Sequence, residues 1–303
     1  ALDAGTDDGG MFDGGLALDC RPCDSWMPVE IMGPLPMVLD ELSGLAPSAT
    51  QPGVLYAHND SGDTARFFAM DGFGRLLAEV RLVGASAVDW EDMARGPCEQ
   101  WGSCLYFGDI GDNLRQRPSY VVYRSREPDL SAVLVGGLPP PADIELGFDR
   151  LPFQYPNGER HNAETLLAHP VTGELYVVTK GVSGMPSRVF KFPQPLTPDT
   201  MTTLIDLGDA SVPTGSDVLA TGGAVHPCGH SLLVRMYNRS VELRAVPDAG
   251  FDTAFKSAPL DVPTPIDEPQ GEAIAWSADG ESFYTASEMT GQSLHRVRCV
   301  RSP

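Results

Sequence analysis

Short apolar runs of about seven residues, separated by turns rich in Gly and Pro every eight to twelve residues, fill most of this chain, and helical periodicity is almost absent. One pattern recurs five times: a short polar-then-apolar run, a turn with Gly, then a run of the form Leu-Tyr followed by alternating apolar residues and a polar end. The copies are LSGLAPSATQPGVLYAHND (42–60), DWEDMARGPCEQWGSCLYFGD (89–109), NAETLLAHPVTGELYVVTK (162–180), ATGGAVHPCGHSLLVRMYN (220–238) and GEAIAWSADGESFYTASE (271–288). Each reads as two strands joined by a turn.

A third strand follows each pair, at 65–71, 119–127, 187–194, 240–247 and 293–299. A fourth is expected at 76–82, 142–148 and 200–207. Four strands per repeat around an axis make a β-propeller blade. The pattern therefore predicts an all-β, five-bladed β-propeller with four-stranded blades. The last repeat has only three strands, while MPVEIMGPLP (27–36) precedes the first repeat without a partner. Pairing the two completes the last blade and removes an exposed sheet edge. Residues 27–303 then form a single propeller domain, and 128–161 reads as a long insertion.

Composition narrows the class. Gly 32 and Pro 27 together supply the turns, and 42% hydrophobic residues suffice for a core without any run long enough to span a bilayer. Asp and Glu number 41 against 21 Lys and Arg, a net charge of −20, which excludes nucleic acid and disfavours an anionic membrane surface. Residues 1–26 separate as an acidic, Gly-rich spacer followed by a CRPC segment. Six cysteines, Cys20, Cys23, Cys98, Cys104, Cys228 and Cys299, and a first residue that is Ala rather than Met, point to an exported protein. Its signal segment would have been removed, and it would be secreted or held in the cell envelope. No second cysteine pair stands near CRPC to make a zinc site. Disulfides are therefore expected, with Cys98–Cys104 the most evident pair and Cys228 and Cys299 available to tie down CRPC.

In a propeller the innermost strand starts, and the second strand ends, at the same rim of the central channel. Aligning the repeats places Ser43, Glu91, Glu164, Thr221 and Glu272 at one inner-strand position. The second-strand ends supply Asn59, Asp60, Asp109, Thr179, Lys180, Tyr237 and Glu288. Carboxylates and hydroxyls gathered in a narrow channel need compensation, and calcium takes six to eight such oxygens. Calcium is thus the expected cofactor, held by Glu91, Glu164 and Glu272 with Ser43 and Thr221. A water-filled channel with Lys180 and Arg235 as counter-charges is the simpler alternative.

Asn59, Asp60, Asp109, Asn113, Lys180, Arg235, Tyr237 and Glu288 are expected to contact the ion or a ligand, Lys180 and Arg235 through an anionic group. Glu164 and His161 are the candidate catalytic pair, His161 as general base. Trp90 is expected to pack between blades. The motifs GxSxG, HExxH, GxGxxG and the Walker loop are absent. Catalysis would therefore rest on a metal that polarises an ester or phosphoryl oxygen.

At HNDSGD, DWEDMA, LYFGDIGDN, HNAETLL with LYVVTK, and QGEAIAWS, the chain resembles exported bacterial β-propellers of the WD-repeat-like type, akin to esterase-like phytases. The resemblance covers about residues 38–299. It implies the propeller fold and an extracytoplasmic setting, and brings no settled activity. More distantly, the acid-ringed channel is similar to calcium-dependent propellers such as paraoxonase-like lactonases, diisopropylfluorophosphatase and calcium-activated nucleotidases, which implies a channel calcium. The expectation is a calcium-binding propeller, secreted and monomeric, that hydrolyses a small ester, lactone or phosphoester. Its alternative is a non-catalytic module for a carbohydrate or protein ligand with a structural metal.

Overall fold

The computed structural model describes residues 12–13, 16–136, 139–181, 184–215 and 219–302. Apart from residues 12–13, the proposed spacer over residues 1–15 lies outside the described residues. Five sheets, antiparallel except for one added edge strand in each of two, form the blades of a propeller. Their innermost strands are Leu42–Pro47, Trp90–Cys98, Ala163–Ala168, Ala220–Val225 and Gly271–Trp276, and each contacts the next around a closed ring. The second strands are Val54–Asn59, Gly102–Asp109, Leu175–Thr179, Ser231–Met236 and Ser282–Ser287.

The last blade is closed by the N-terminal strand Glu30–Pro34, which runs antiparallel to Ser293–Val300, with Ser25–Trp26 added at its end. Both faces of every blade meet a neighbour, so the inner and second strands are buried nearly throughout. Aromatic side chains fill the wedges between them. Trp90 stacks on Phe107 with ring centroids 5.1 Å apart, and Phe107 lies 4.9 Å from Phe67 of the preceding blade.

The outer strands differ from the sequence reading. Ala142–Leu146 is a fifth strand of blade 1, parallel to Leu76–Leu82, and the fourth strand of blade 2 is Asp149–Gln154. Thr202–Thr203 adds to the same edge of blade 2, while Ile205–Asp209 completes blade 3. The stretch 128–161 is therefore not a plain insertion. It sends one strand back to the exposed edge of the preceding blade, where unpaired N–H and C=O groups accept any extended segment, before forming the next blade's outer strand.

All three disulfides sit at the channel end where the inner strands finish. They are Cys20–Cys228, Cys23–Cys299 and Cys98–Cys104. The first two fasten the CRPC segment to blades 4 and 5, and among the described residues no cysteine is free. Three such bonds point to an oxidising, extracytoplasmic environment. The channel there holds a cavity of about 30 Å³ whose walls are mostly apolar, Ala46, Ala94, Ala168, Ala224 and Trp276 among them, with Arg95 alongside. No helix among the described residues is long and apolar enough to cross a membrane.

Candidate functional site

The opposite end of the channel is built by one backbone irregularity repeated five times. In each blade the pairing of the inner with the second strand skips one residue near its start, and the skipped residues are Ser43, Glu91, Glu164, Thr221 and Glu272. An ordinary inner-strand side chain points into the core between two blades. A bulged residue has no cross-strand partner and can turn toward the free edge of the strand, which in a propeller faces the axis. The five positions aligned from sequence are thus the five bulges, and all five residues are buried.

The two hydroxyls tie neighbouring bulges together. Ser43 Oγ donates to the Glu91 carbonyl, and Thr221 Oγ1 donates to the Gly271 carbonyl at 2.8 Å. Glu164 Oε1 lies 2.5 Å from Lys180 Nζ and accepts a hydrogen bond from Asn162 Nδ2 at 3.1 Å. The same Asn162 amide donates to Asn113 Oδ1 at 3.1 Å, so Asn113 supports Glu164 from behind. Lys180 also rests over the Tyr237 ring, 5.1 Å from its centroid.

Glu91 meets Asp60 and Asp89. One carboxylate oxygen from each of the three lies within 4.8 Å of the others. Asp89 precedes the inner strand of blade 2 and was not singled out in the sequence, although DWED places three acids in four residues. A second residue that sequence reasoning missed is Gly111, in the GDIGDN loop. A Cβ there would come 2.1 Å from Glu91 Oε1 and 2.4 Å from Asp89 Oδ2, so only a bare backbone fits against this pair.

Burial raises the pKa of Asp60, Asp89, Glu91, Glu164, Glu272 and Glu288. Glu91 is pushed well above the carboxylate range by desolvation, then by Glu164, Asp60 and Asp89. Desolvation and the Glu164 charge lift Glu272 to about 9. Glu164 reaches about 7 because desolvation outweighs the Lys180 ammonium. Glu288 also reaches about 7 through desolvation and Glu41, and Asp60 reaches about 6 through desolvation, reinforced by Asp89 and opposed by Ser61 N–H. Concentrated negative charge of this kind is relieved by protons or by a cation.

The residues fit a hard cation. Their donors are carboxylate oxygens, and the missing Cβ of Gly111 is what lets Glu91 and Asp89 lie against the loop backbone within reach of Asp60. A second group of metal-type side chains, His226, Cys228 and His230, lies at the far end of the channel. There the Cys228 sulfur is bonded to Cys20, which removes it as a thiolate ligand.

Several expected site residues have other work. Arg235 is fully buried and pairs with Glu268 at 2.6 Å, and Glu268 also accepts from Thr285 at 2.8 Å and meets His295 Nδ1 at 2.9 Å. Arg235 therefore joins blades 4 and 5, its charge matched by Glu268. His161 pairs with Glu159 at 3.0 Å, and its ring centroid lies 4.7 Å from that of Tyr155 after the outer strand of blade 2 and 5.1 Å from that of Phe190 in blade 3, so it packs between these two blades. Asp109 takes Arg117 at 2.7 Å and the N–H groups of Val88 and Asp89 at 3.2 Å, so it holds the Asp89 turn in place. Glu288 accepts from Gln270 Nε2 at 2.6 Å at the rim.

Another acid missed in the sequence lies one step below the ring. Asp92 is fully buried, and its Oδ2 accepts the N–H groups of Leu166 at 3.0 Å and Gly223 at 3.2 Å from the next two blades. It bridges the free inner edges of blades 3 and 4 across the axis.

No family model matches the chain, and no curated protein matches it. Among solved structures, it is similar to a gluconolactonase from Xanthomonas campestris at 13% identity and TM-score 0.45, covering 93% of this chain and 99% of that one. A glucose dehydrogenase shares 11% identity at TM-score 0.47, over 91% and 100% of the two chains. Hydrazine synthase of Kuenenia stuttgartiensis shares 11% identity at TM-score 0.41, over 82% and 68%.

Proposed function

We propose that the channel mouth holds a calcium ion and that the protein hydrolyses a small ester, lactone or phosphoester there. The observation that carries this reading is the meeting of Asp60, Asp89 and Glu91 within 4.8 Å on a bulge that turns Glu91 toward the axis. Glu164 and Glu272 complete the acidic ring on the same bulge in blades 3 and 5. An all-oxygen donor set without thiolate or imidazole selects calcium or magnesium over zinc.

When bound, such an ion polarises a carbonyl or phosphoryl oxygen and acidifies a coordinated water. The chain's contribution would be orientation and proton handling. Glu288, half-buried at the rim beside Gln270, would take a proton from water approaching the mouth. The Gly111 wall keeps Glu91 and Asp89 together.

One observation favours a non-catalytic binding module instead. The ring hydroxyls of Ser43 and Thr221 donate to neighbouring carbonyls, so they hold the blades together rather than facing a ligand. The test is metal analysis of protein purified without chelator, followed by an ester, lactone and phosphoester panel with and without calcium. Chelator-sensitive turnover that Glu164→Gln abolishes at unchanged thermal stability supports the enzyme. Bound calcium without turnover, with Glu164→Gln only lowering the melting temperature, supports the binding module. Protein that neither carries nor takes up calcium overturns the metal site.

A further inference from the structure

The ring already contains a cation of its own. Lys180 is the last residue of the third repeat, and its charge favours the ionised form of Glu164 foremost and, more weakly, of Asp60, Asp89, Glu91, Glu272 and Glu288. Its side chain is only 17% exposed, with Nζ 2.5 Å from Glu164 Oε1. The backbone beneath it is fixed, since Lys180 N–H donates to the Asn162 carbonyl at 3.0 Å. Asn162 Nδ2 reaches the same Glu164 oxygen at 3.1 Å, so Oε1 is doubly engaged before any ion arrives. The Tyr237 face, 5.1 Å from Nζ, offers the ammonium a second seat.

We infer that Lys180 is a tethered competitor for the channel cation, and that it determines both the affinity and the charge selectivity of the site. The inference rests on the cation-site reading above. A tethered ammonium is present at a high effective concentration, so an incoming ion must displace it from Glu164 or tolerate its repulsion in a poorly screened channel. A monovalent ion brings no more charge than the ammonium already supplies. A divalent ion does, and only such an ion gains enough from Glu91, Asp60 and Asp89 to enter.

Calorimetric titration with calcium chloride at low ionic strength tests this on wild type, Lys180→Met, Lys180→Gln and Lys180→Arg. Removing one repelling charge beside a dication is expected to tighten calcium binding about tenfold or more in the Met and Gln variants. The Arg variant is expected to stay near wild type, and sodium is expected to compete measurably only in the neutral variants. Folded Met or Gln variants that bind calcium as wild type does, or more weakly, overturn the inference while leaving the metal site standing. If neither wild type nor the neutral variants bind, the cation-site reading fails and this inference with it.

A measurement on the unaltered protein covers the case in which the variants do not fold. Acetylation of Lys180, followed by mass spectrometry, should accelerate when calcium frees the ammonium from Glu164. An unchanged rate at saturating calcium overturns the inference.

Discussion

A Cβ on Gly111 would fall 2.1 Å from Glu91 Oε1, so the main chain of the GDIGDN loop is the wall against which that carboxylate lies. Gly111→Ala must push Glu91 and its neighbour Asp89 aside, because the methyl group cannot yield. Calcium affinity, read by calorimetry, should drop about tenfold or more, while circular dichroism stays that of the folded propeller. Wild-type affinity in this variant would show that no ion sits between these two acids.

The metal-free protein should lose stability as pH rises. Asp60, Glu164, Glu288 and Glu272 have folded-state values of about 6, 7, 7 and 9, all above the ordinary 3.8 for Asp and 4.5 for Glu. Between the ordinary and raised values the folded state binds more protons than the unfolded one, so the slope of stability against pH is negative. Melting temperatures in chelator should fall from about pH 4.5 to about pH 9, and saturating calcium should flatten that fall. A chelated protein most stable near pH 8 would contradict the raised values.

Asp92 is expected to be structural. Asp92→Ala strips partners from the buried N–H groups of Leu166 and Gly223 and should cost about 2–5 kcal/mol in urea denaturation. Asp92→Asn keeps an acceptor oxygen and should recover most of that loss. Equal destabilisation by both would mean that the carboxylate's charge matters more than its acceptor role.

Arg235→Met leaves Glu268 buried with only Thr285 and His295 and should cost about 3–5 kcal/mol. If Arg235 instead anchored a ligand, the variant would keep its stability and lose only binding. Urea denaturation of the purified variant decides it, since unchanged stability would overturn the structural role.

The Cys23–Cys299 bond spans 276 residues and the Cys98–Cys104 bond only 6. On loop-closure entropy, replacing the first pair by Ser should cost about 5 kcal/mol and the second about 2 kcal/mol. Denaturant midpoints of the two double variants check the order, and the reverse order would show that strain or residual structure outweighs chain entropy.

Much of this architecture was legible in the sequence because propeller blades are repeats. The Gly-turn and aromatic-strand pattern recurs at each inner hairpin, so alignment alone put Ser43, Glu91, Glu164, Thr221 and Glu272 at one level. The unpaired MPVEIMGPLP segment announced the closure strand for the same reason, since an orphan strand and a three-stranded blade complete each other. The outer strands were misplaced at 142–148 because edge pairing depends on which sheet lies nearby, and local sequence does not encode that.

What the sequence by itself determined is the repeat, its count, its closure and the level at which acids gather, all of which follow from local periodicity. Tertiary structure alone decided what each polar side chain does. Glu91 faces the axis because a bulge turns it there, Asp89 and Gly111 join it because a loop folds back, and Arg235 is spent on Glu268 across a blade interface. The physical reason is that the charge state and role of a side chain depend on burial and on partners within a few ångströms, and around a closed ring those partners come from blades far apart in the chain.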